Sequence, residues 1–272
     1  MAARKRKSLI ACGLILLATV IGAAAYPRWG WWVASFAEAR PAGPWRMPNG
    51  PVNVVTYNIK FGEGLDEALA VVLAEKPDIV CLQETRPSQT GEIEKKLGME
   101  GYWTPSSNLI GDAAWGNSIF VRGKLGPVEA LRTDDGKSFG VWGAAEVNGG
   151  RFIVASVHLM HFKKKGDFGV RQRLRETRAI LKAIEKLDAP AIVAGDFNEP
   201  TVASFIHPIM RQRFENAVPD CAATLPANMP VVCIDFVYCT REWEALGGRA
   251  IGTAISDHRP VVARVGIASD GK

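Results

Sequence analysis

The sequence predicts an α/β protein in which two packed β-sheets are flanked by helices. Three observations carry that prediction. Apolar runs rich in β-branched residues recur from Pro51 onward, helical stretches separate them near the start and again past the middle, and a block of adjacent strands lies between. Composition agrees. Of 272 residues, 47% are hydrophobic and 22% charged, which excludes disordered and collagen-like chains and leaves enough material for a large core. No repeat of fixed period is present.

Taken in order, Val52–Asn58 (VNVVTYN) reads as a strand, and Asp66–Ala74 carries apolar residues at helical spacing until Pro77-Asp78 stops it. Ile79–Gln83 (IVCLQ) is short and almost continuously apolar, the pattern of a strand covered on both faces. A helix follows near Gly91–Leu97, then strands at Ser118–Arg122, Val128–Arg132, Val141–Val147 and Phe152–Leu159. Arg171–Leu187 reads as a helix ended by Asp188-Ala189-Pro190. Ala191–Ala194 is a strand, Val202–Arg211 a short helix, and Val231–Cys239 and Pro260–Ile267 the last strands. No composition break divides residues 51–268, which are therefore taken as one domain.

Ahead of that domain the chain carries an address. The formal charge is +5, but Arg4, Lys5, Arg6 and Lys7 supply four of its units within residues 1–7, and the rest is close to neutral. The basic balance is thus no argument for a nucleic-acid partner. Residues 8–26 (SLIACGLILLATVIGAAAY) hold no charge, and as a helix they would span roughly 29 Å, the thickness of a hydrocarbon core. Tyr26, Trp29, Trp31 and Trp32 follow as an interfacial aromatic cluster. The expectation is a single transmembrane helix with a cytoplasmic N-terminus and the domain outside the cytoplasm, periplasmic in a bacterium. The alternative is secretion after cleavage near Ala25, where Ala23 and Ala25 offer small residues. Residues 27–50, with several prolines and glycines, read as a linker.

The chemistry sits at strand ends. Asn58 closes the first strand, Glu84 the second, and His158 interrupts FIVASVHL. Asp196 and Asn198 follow AIVAG, Asp235 lies within VVCIDFVYC, and Asp257-His258 precede the last strand. A carboxylate on a buried strand is costly unless paired, hydrogen-bonded or metal-bound, and strand ends converge in space. Glu, Asp and Asn are hard oxygen donors suited to Mg²⁺ or Mn²⁺, and two nearby histidines suit proton transfer and charge stabilisation at a phosphate.

The series Tyr57-Asn58-Ile59, Leu82-Gln83-Glu84, Gly116-Asn117-Ser118-Ile119, Val157-His158-Leu159, Gly195-Asp196-Phe197-Asn198, Ile234-Asp235-Phe236-Val237 and Ser256-Asp257-His258 resembles the endonuclease/exonuclease/phosphatase superfamily. The motifs stand in family order from residue 52 to 265. The resemblance implies a four-layered α/β sandwich and metal-dependent cleavage of a phosphate ester. It makes Glu84 the principal metal ligand, assisted by Asn58 and Asp257. It gives Asp196 the attacking water, Asn198 the scissile phosphate, Asp235 the partnership of His258, and His158 the leaving group. Asn117 of this series and Arg171 are the candidate substrate contacts. The His of the VHL motif, with Lys60 where AP endonucleases carry an acid, is similar to the two-histidine members such as deoxyribonucleases and sphingomyelinases.

The expected activity is a phosphodiesterase, nuclease-like or sphingomyelinase-like, by in-line attack of water. The alternatives are a phosphomonoesterase acting on a soluble or lipid headgroup and a catalytically silent ligand-binding module. The expected substrate is a phosphate ester, of nucleic acid or of a phospholipid headgroup, and the expected contact with the membrane is through the N-terminal helix.

Other features carry less. Lys163, Lys164, Lys165, Arg171, Arg173, Arg175 and Arg178 crowd residues 163–178 against two acids, which suits a phosphate-rich substrate, an anionic membrane or a plain solvated face. His158 and His161 would point to opposite faces of a strand, which argues against zinc. His161 and His207 read as loop or surface residues. Cys221 and Cys233 flank a Pro-containing loop and are spaced to pair, with free buried thiols the alternative.

Overall fold

The chain begins its fold at a strand that is fully paired on both sides. In the structure, a computed structural model describing residues 43–106, 111–162, 167–200, 204–218 and 222–269, β1 (Val52–Asn58) lies between β2 (Ile79–Thr85) and β12 (Val261–Ile267). With β3 (Glu100–Pro105), β4 (Gly116–Val121) and β11 (Trp243–Ala250) they form a six-stranded sheet in the order β11-β12-β1-β2-β4-β3. The second sheet, also six-stranded, runs β5-β6-β7-β8-β10-β9. Its strands are β5 (Lys124–Arg132), β6 (Ser138–Val147), β7 (Gly150–His158), β8 (Ala191–Asp196), β9 (Phe214–Asn216) and β10 (Asp235–Thr240).

Both sheets are mixed in the same way. Each contains one parallel pair, β1 with β2 and β7 with β8, and every other pairing is antiparallel. A parallel pair needs a crossover, and helices supply it. α1 (Leu65–Ala74) joins β1 to β2, and α3 (Val170–Leu187) joins β7 to β8. α2 (Thr90–Leu97) and the one-turn α4 (His207–Met210) are the other α-helices among the described residues.

Strand alternation sorts the apolar side chains into three cores. Val52 and Val54 of β1 face inward with Ile79 and Cys81, and meet Val141, Phe152, Val154, Ile192 and Val237 of the other sheet. Val55 and Tyr57 face outward and are covered by Ala68, Leu69 and Val72 of α1 and by Ile93 and Leu97 of α2. On the far side, Ile153, Ala155 and Val193 meet Ile180 and Ile184 of α3, with Met210 of α4. Helix, sheet, sheet and helix therefore stack as four layers. Residues 41–272 form one compact unit.

Several expectations shift. Strands β3, β9 and β11 are additional. β3 and β11 are sheet edges whose exposed residues blur alternation, β11 carries Gly247 and Gly248, and β9 has three residues. The strand expected at Val231–Cys239 begins at Asp235, because the preceding segment turns back so that Leu225 bridges Val232. The helix expected at Val202–Arg211 shortens to α4, its first residues lying outside those described. The linker ends earlier than residue 50. Arg46 exchanges backbone hydrogen bonds with Arg151, and the indole of Trp45 donates to the Leu187 carbonyl at 3.2 Å.

His207 is a correction. It is buried, with Nδ1 2.7 Å from the Tyr238 hydroxyl and Nε2 2.9 Å from the Glu199 carbonyl, because α4 folds back over the sheet. His161 is exposed as expected. Cys233 is disulfide-bonded, Cys81 and Cys239 are free and buried, and Cys221 lies outside the described residues. So does the segment 8–26; among the described residues no helix is long and apolar enough to cross a membrane.

Candidate active site

The two parallel pairs end on the same edge of the sandwich, and strand register assembles the site there. His158, the last residue of β7, pairs with Asp196, the last of β8, and Asp196 pairs with Asp235, the first of β10. Three neighbouring strands thus place two carboxylates and an imidazole side by side. Gly195 makes this approach possible. A Cβ there would stand 1.9 Å from the Val157 carbonyl oxygen, so no larger residue fits between the strands.

His258, carried in from the loop before β12, completes the group. Its Nδ1 donates to Asp235 Oδ2 at 2.9 Å, and its Nε2 stands 3.7 Å from Asp196 Oδ2. His158 Nε2 lies 3.4 Å from the same Asp196 oxygen. Asp196, Asp235 and His258 offer ligand atoms within 4.8 Å of one another, and all three are buried. Thr224 donates its hydroxyl to Asp235 Oδ2 at 2.5 Å, a support that sequence pattern did not single out. The other oxygen of Asp196 accepts the Asn198 backbone N–H at 2.8 Å, while the Asn198 amide donates to the Leu159 carbonyl at 3.0 Å.

Electrostatics follow from this packing. Burial, and then the neighbouring Asp235, push the Asp196 carboxyl up to about 6 against the opposing pull of His158 and His258. Burial works against charge on His258, but Asp235 beside it, with Asp196 and Asp257, overcomes this and raises the imidazole to about 10. At neutral pH His258 is a cation facing Asp196.

The first sheet contributes a second half. Glu84 lies where the β2–β4 register shifts between Gln83 and Thr85, and its φ is +56°. The bulge turns it out of the ladder and leaves it half-buried. Asn58 spans both halves: its amide nitrogen is 3.2 Å from Glu84 Oε1 and 3.3 Å from Asp196 Oδ2. Its amide oxygen accepts the Lys60 backbone N–H at 3.1 Å, so ligating a cation through that oxygen would require giving up this contact. Its backbone carbonyl accepts the Ser256 hydroxyl at 2.7 Å, and that hydroxyl lies 3.2 Å from Asp257. Asp257 is exposed.

Two predicted substrate contacts are placed differently. Asn117 is fully buried on β4 and donates its amide to Ser106 at 2.7 Å. Arg171 is not brought to the site; its side chain is 86% exposed at the start of α3, 3.6 Å from Asp167. The structure adds Trp115, whose ring packs 5.6 Å from that of His158. It also adds a buried network behind the site. Arg173 holds Glu199 at 2.6 Å and the carbonyls of Met160 and Phe168, while Glu176 accepts the Met160 N–H at 2.8 Å. Arg173 is one of the bases that crowd residues 163–178, and its helical offset from Arg171 and Arg175 is the signal that sets it on the inner face.

The donor set suits a hard divalent cation at Glu84 and Asp257. Both are carboxylates linked to Asn58, Glu84 by a direct hydrogen bond and Asp257 through the Ser256 hydroxyl, and Asp257 is open to solvent, as an ion that keeps part of its water requires. In Asp196, Asp235 and His258, by contrast, the oxygens and ring nitrogens are largely engaged with one another.

Two mixed sheets with paired carboxylates and histidines at their common edge define a class of layered α/β proteins. The chain belongs to the Endonuclease/Exonuclease/phosphatase family, whose model matches residues 55–258. Among solved structures, the endonuclease/exonuclease/phosphatase from Bacteroides vulgatus is similar at 17% identity with a TM-score of 0.67, covering 80% of this chain and 99% of that one. The catalytic domain of human Nocturnin, with bound sulfate, is 20% identical with a TM-score of 0.62, covering 82% and 96%. A mannosyl-6-phosphatase of Bacteroides thetaiotaomicron is 16% identical with a TM-score of 0.62, covering 79% and 99%. None of the curated proteins compared by sequence matches the chain.

Proposed function

We propose that the protein is a divalent-metal-dependent hydrolase of phosphate esters and that it cleaves a phosphodiester by in-line attack of water. The observation that carries this reading is the register of β7, β8 and β10, which stacks His158, Asp196 and Asp235 beside an imidazolium at His258. Asp196 is the base: it is buried, its carboxyl is raised towards neutral pH, and Asn58 and the Asn198 N–H hold its two oxygens in place. His258, kept protonated by Asp235, offers Nε2–H to the negative charge that builds on phosphate oxygens. His158 is the acid for the leaving oxygen, with Trp115 packed against its ring. Asn198 lines the phosphate position.

Glu84 and Asp257 would hold Mg²⁺ or Mn²⁺, with Asn58 positioning Glu84; such a cation supplies Lewis-acid neutralisation of phosphate charge. In the same reading residues 8–26 anchor the domain in a membrane with residues 1–7 cytoplasmic, or are removed near Ala25, and residues 51–268 act outside the cytoplasm.

The test is turnover of a generic phosphodiester, single-stranded and duplex DNA, RNA, sphingomyelin and phosphomonoesters, each with Mg²⁺, Mn²⁺ or EDTA. Diester cleavage should require the metal, and Asp196→Ala and His258→Ala should each cost roughly 100- to 10,000-fold. Metal-independent turnover, or full activity of both variants, would sink the mechanism. Exclusive monoester cleavage would put the protein with phosphatases, an activity named for one of its structural neighbours.

A further inference from the structure

α3 has an outer face that the proposed chemistry does not use. Six of its residues are exposed, Arg171, Arg175, Arg178, Lys182, Glu185 and Lys186, five bases and one acid. At 100° per residue, Arg171, Arg175, Arg178 and Lys182 fall within an arc of about 60° and form a stripe roughly 16 Å long. Arg171 has a loose contact with Asp167 at 3.6 Å, and Arg175, Arg178 and Lys182 form no ion pair among the described residues. Glu185 and Asp188 are the acids near its C-terminal end, and Glu129 stands close to Lys186. Arg171 has Asp167 beside it and Glu185 lies one turn beyond Lys182, but Arg175 and Arg178 between them pair with no acid among the described residues, and an anionic surface would supply their countercharge.

Two further observations define that surface. At the N-terminal end of α3, Phe162 and Phe168 stack on each other, ring centroids 4.9 Å apart, and are 59% and 48% exposed. Exposed stacked rings beside a basic stripe suit a lipid–water interface, where aromatic rings settle at headgroup depth. At the C-terminal end, Trp45 donates to the Leu187 carbonyl and packs with the apolar side chains of α3, under the Arg151 guanidinium. The chain that leads in from the charge-free segment 8–26 therefore joins the folded domain at the end of this helix. The charge of the helix face and the exposed rings at its N-terminal end point to the same partner.

We propose that the outer face of α3, with Phe162 and Phe168, is a docking surface for an anionic lipid bilayer. The claim is separate from hydrolase activity and survives or falls independently of it. A convex helix face with a straight stripe matches a plane better than the groove that single-stranded nucleic acid follows.

The experiment uses residues 41–272, the compact unit that contains all three cores, so that binding through the segment 8–26 does not intervene. Vesicles of phosphatidylcholine, with and without phosphatidylglycerol, are sedimented with the protein across a salt series. Binding should require phosphatidylglycerol and fall as salt rises. Arg175→Gln with Arg178→Gln should weaken it on the order of 30-fold, at about 1 kcal/mol for each base lost. Phe162→Ala with Phe168→Ala should lower the part that resists salt. Circular dichroism verifies that both pairs of variants fold. Equal binding to both vesicle types, no binding to either, or an arginine variant indistinguishable from the parent would overturn the proposal. So would tight binding of a single-stranded oligonucleotide without vesicle binding, which would make the stripe a nucleic-acid track.

Discussion

Glu84 stands in the left-handed region with φ +56°, at a bulge, on an otherwise regular strand. A non-glycine residue held there carries on the order of 1–3 kcal/mol of strain, which the surrounding sheet must absorb. Its sequence signal was the carboxylate at the end of an apolar run; the backbone conformation that aims it was not visible, because a bulge depends on which strand lies opposite. Glu84→Gly should therefore abolish turnover while leaving stability unchanged or raising it by about 1 kcal/mol, read by denaturant unfolding beside activity. A large loss of stability would mean that the side chain, not the backbone, holds the bulge. The acids and histidines of the site were legible because each is a polar residue where apolar pattern leads a reader to expect a buried one. Thr224 was not. A threonine in a polar loop is ordinary, and its value lies in the Asp235 oxygen it reaches from eleven positions away.

At the scale of elements, α3 fixes the loops that leave β7 and β8. Arg173 and Glu199 form an ion pair with side chains 4% and 5% exposed, and around it hang the backbones of Met160, Phe168 and Phe205. Removing one partner leaves a buried charge alone, so Arg173→Ala should destabilise by about 3–5 kcal/mol in thermal or chemical unfolding. Arg173→Lys keeps the charge but not the planar set of donors and should recover little of it. Glu176, on the same buried side, is raised from 4.5 to about 7, chiefly by burial and against the Met160 and Gln172 hydrogen bonds. The folded state then holds a proton that the unfolded chain releases earlier. Stability contributed at low pH should fall as pH rises from about 4.5 to about 7, by on the order of 3 kcal/mol. In Glu176→Gln that slope should vanish. Persistence of the slope would assign it to other groups. The helix itself was plain from its spacing; that two charged residues of a basic, water-loving run lie inside was hidden until the β8 loop brought Glu199 to meet Arg173.

Across the whole molecule, the two sheets own different parts of the site, Asn58 and Glu84 from one and His158, Asp196 and Asp235 from the other. Anything that loosens their contact should therefore reduce turnover before the protein unfolds. Trp243 of β11 packs edge-on against Phe152 of β7 at 4.8 Å and joins the sheets directly. Trp243→Ala should cost about 3–5 kcal/mol, with turnover falling at temperatures where circular dichroism still shows folded protein. Coincident loss of both signals would show that the sheets separate only on global unfolding. The layered class was readable from strand and helix order, whereas sheet order was not, since β12 pairs with its chain neighbour β11 on one side and, after the long return of the chain, with β1 on the other. That return has a consequence for how the protein is made. β1 pairs with β12, Val52 opposite Val265, so the first strand of the domain keeps an open edge until residues 261–267 have been synthesised. Contacts this distant in sequence form slowly. A chain halted before Val261 carries Glu84 and Asp196 but lacks the strand that closes the sheet beneath Asn58, so the proposed turnover is expected only from chains that include β12.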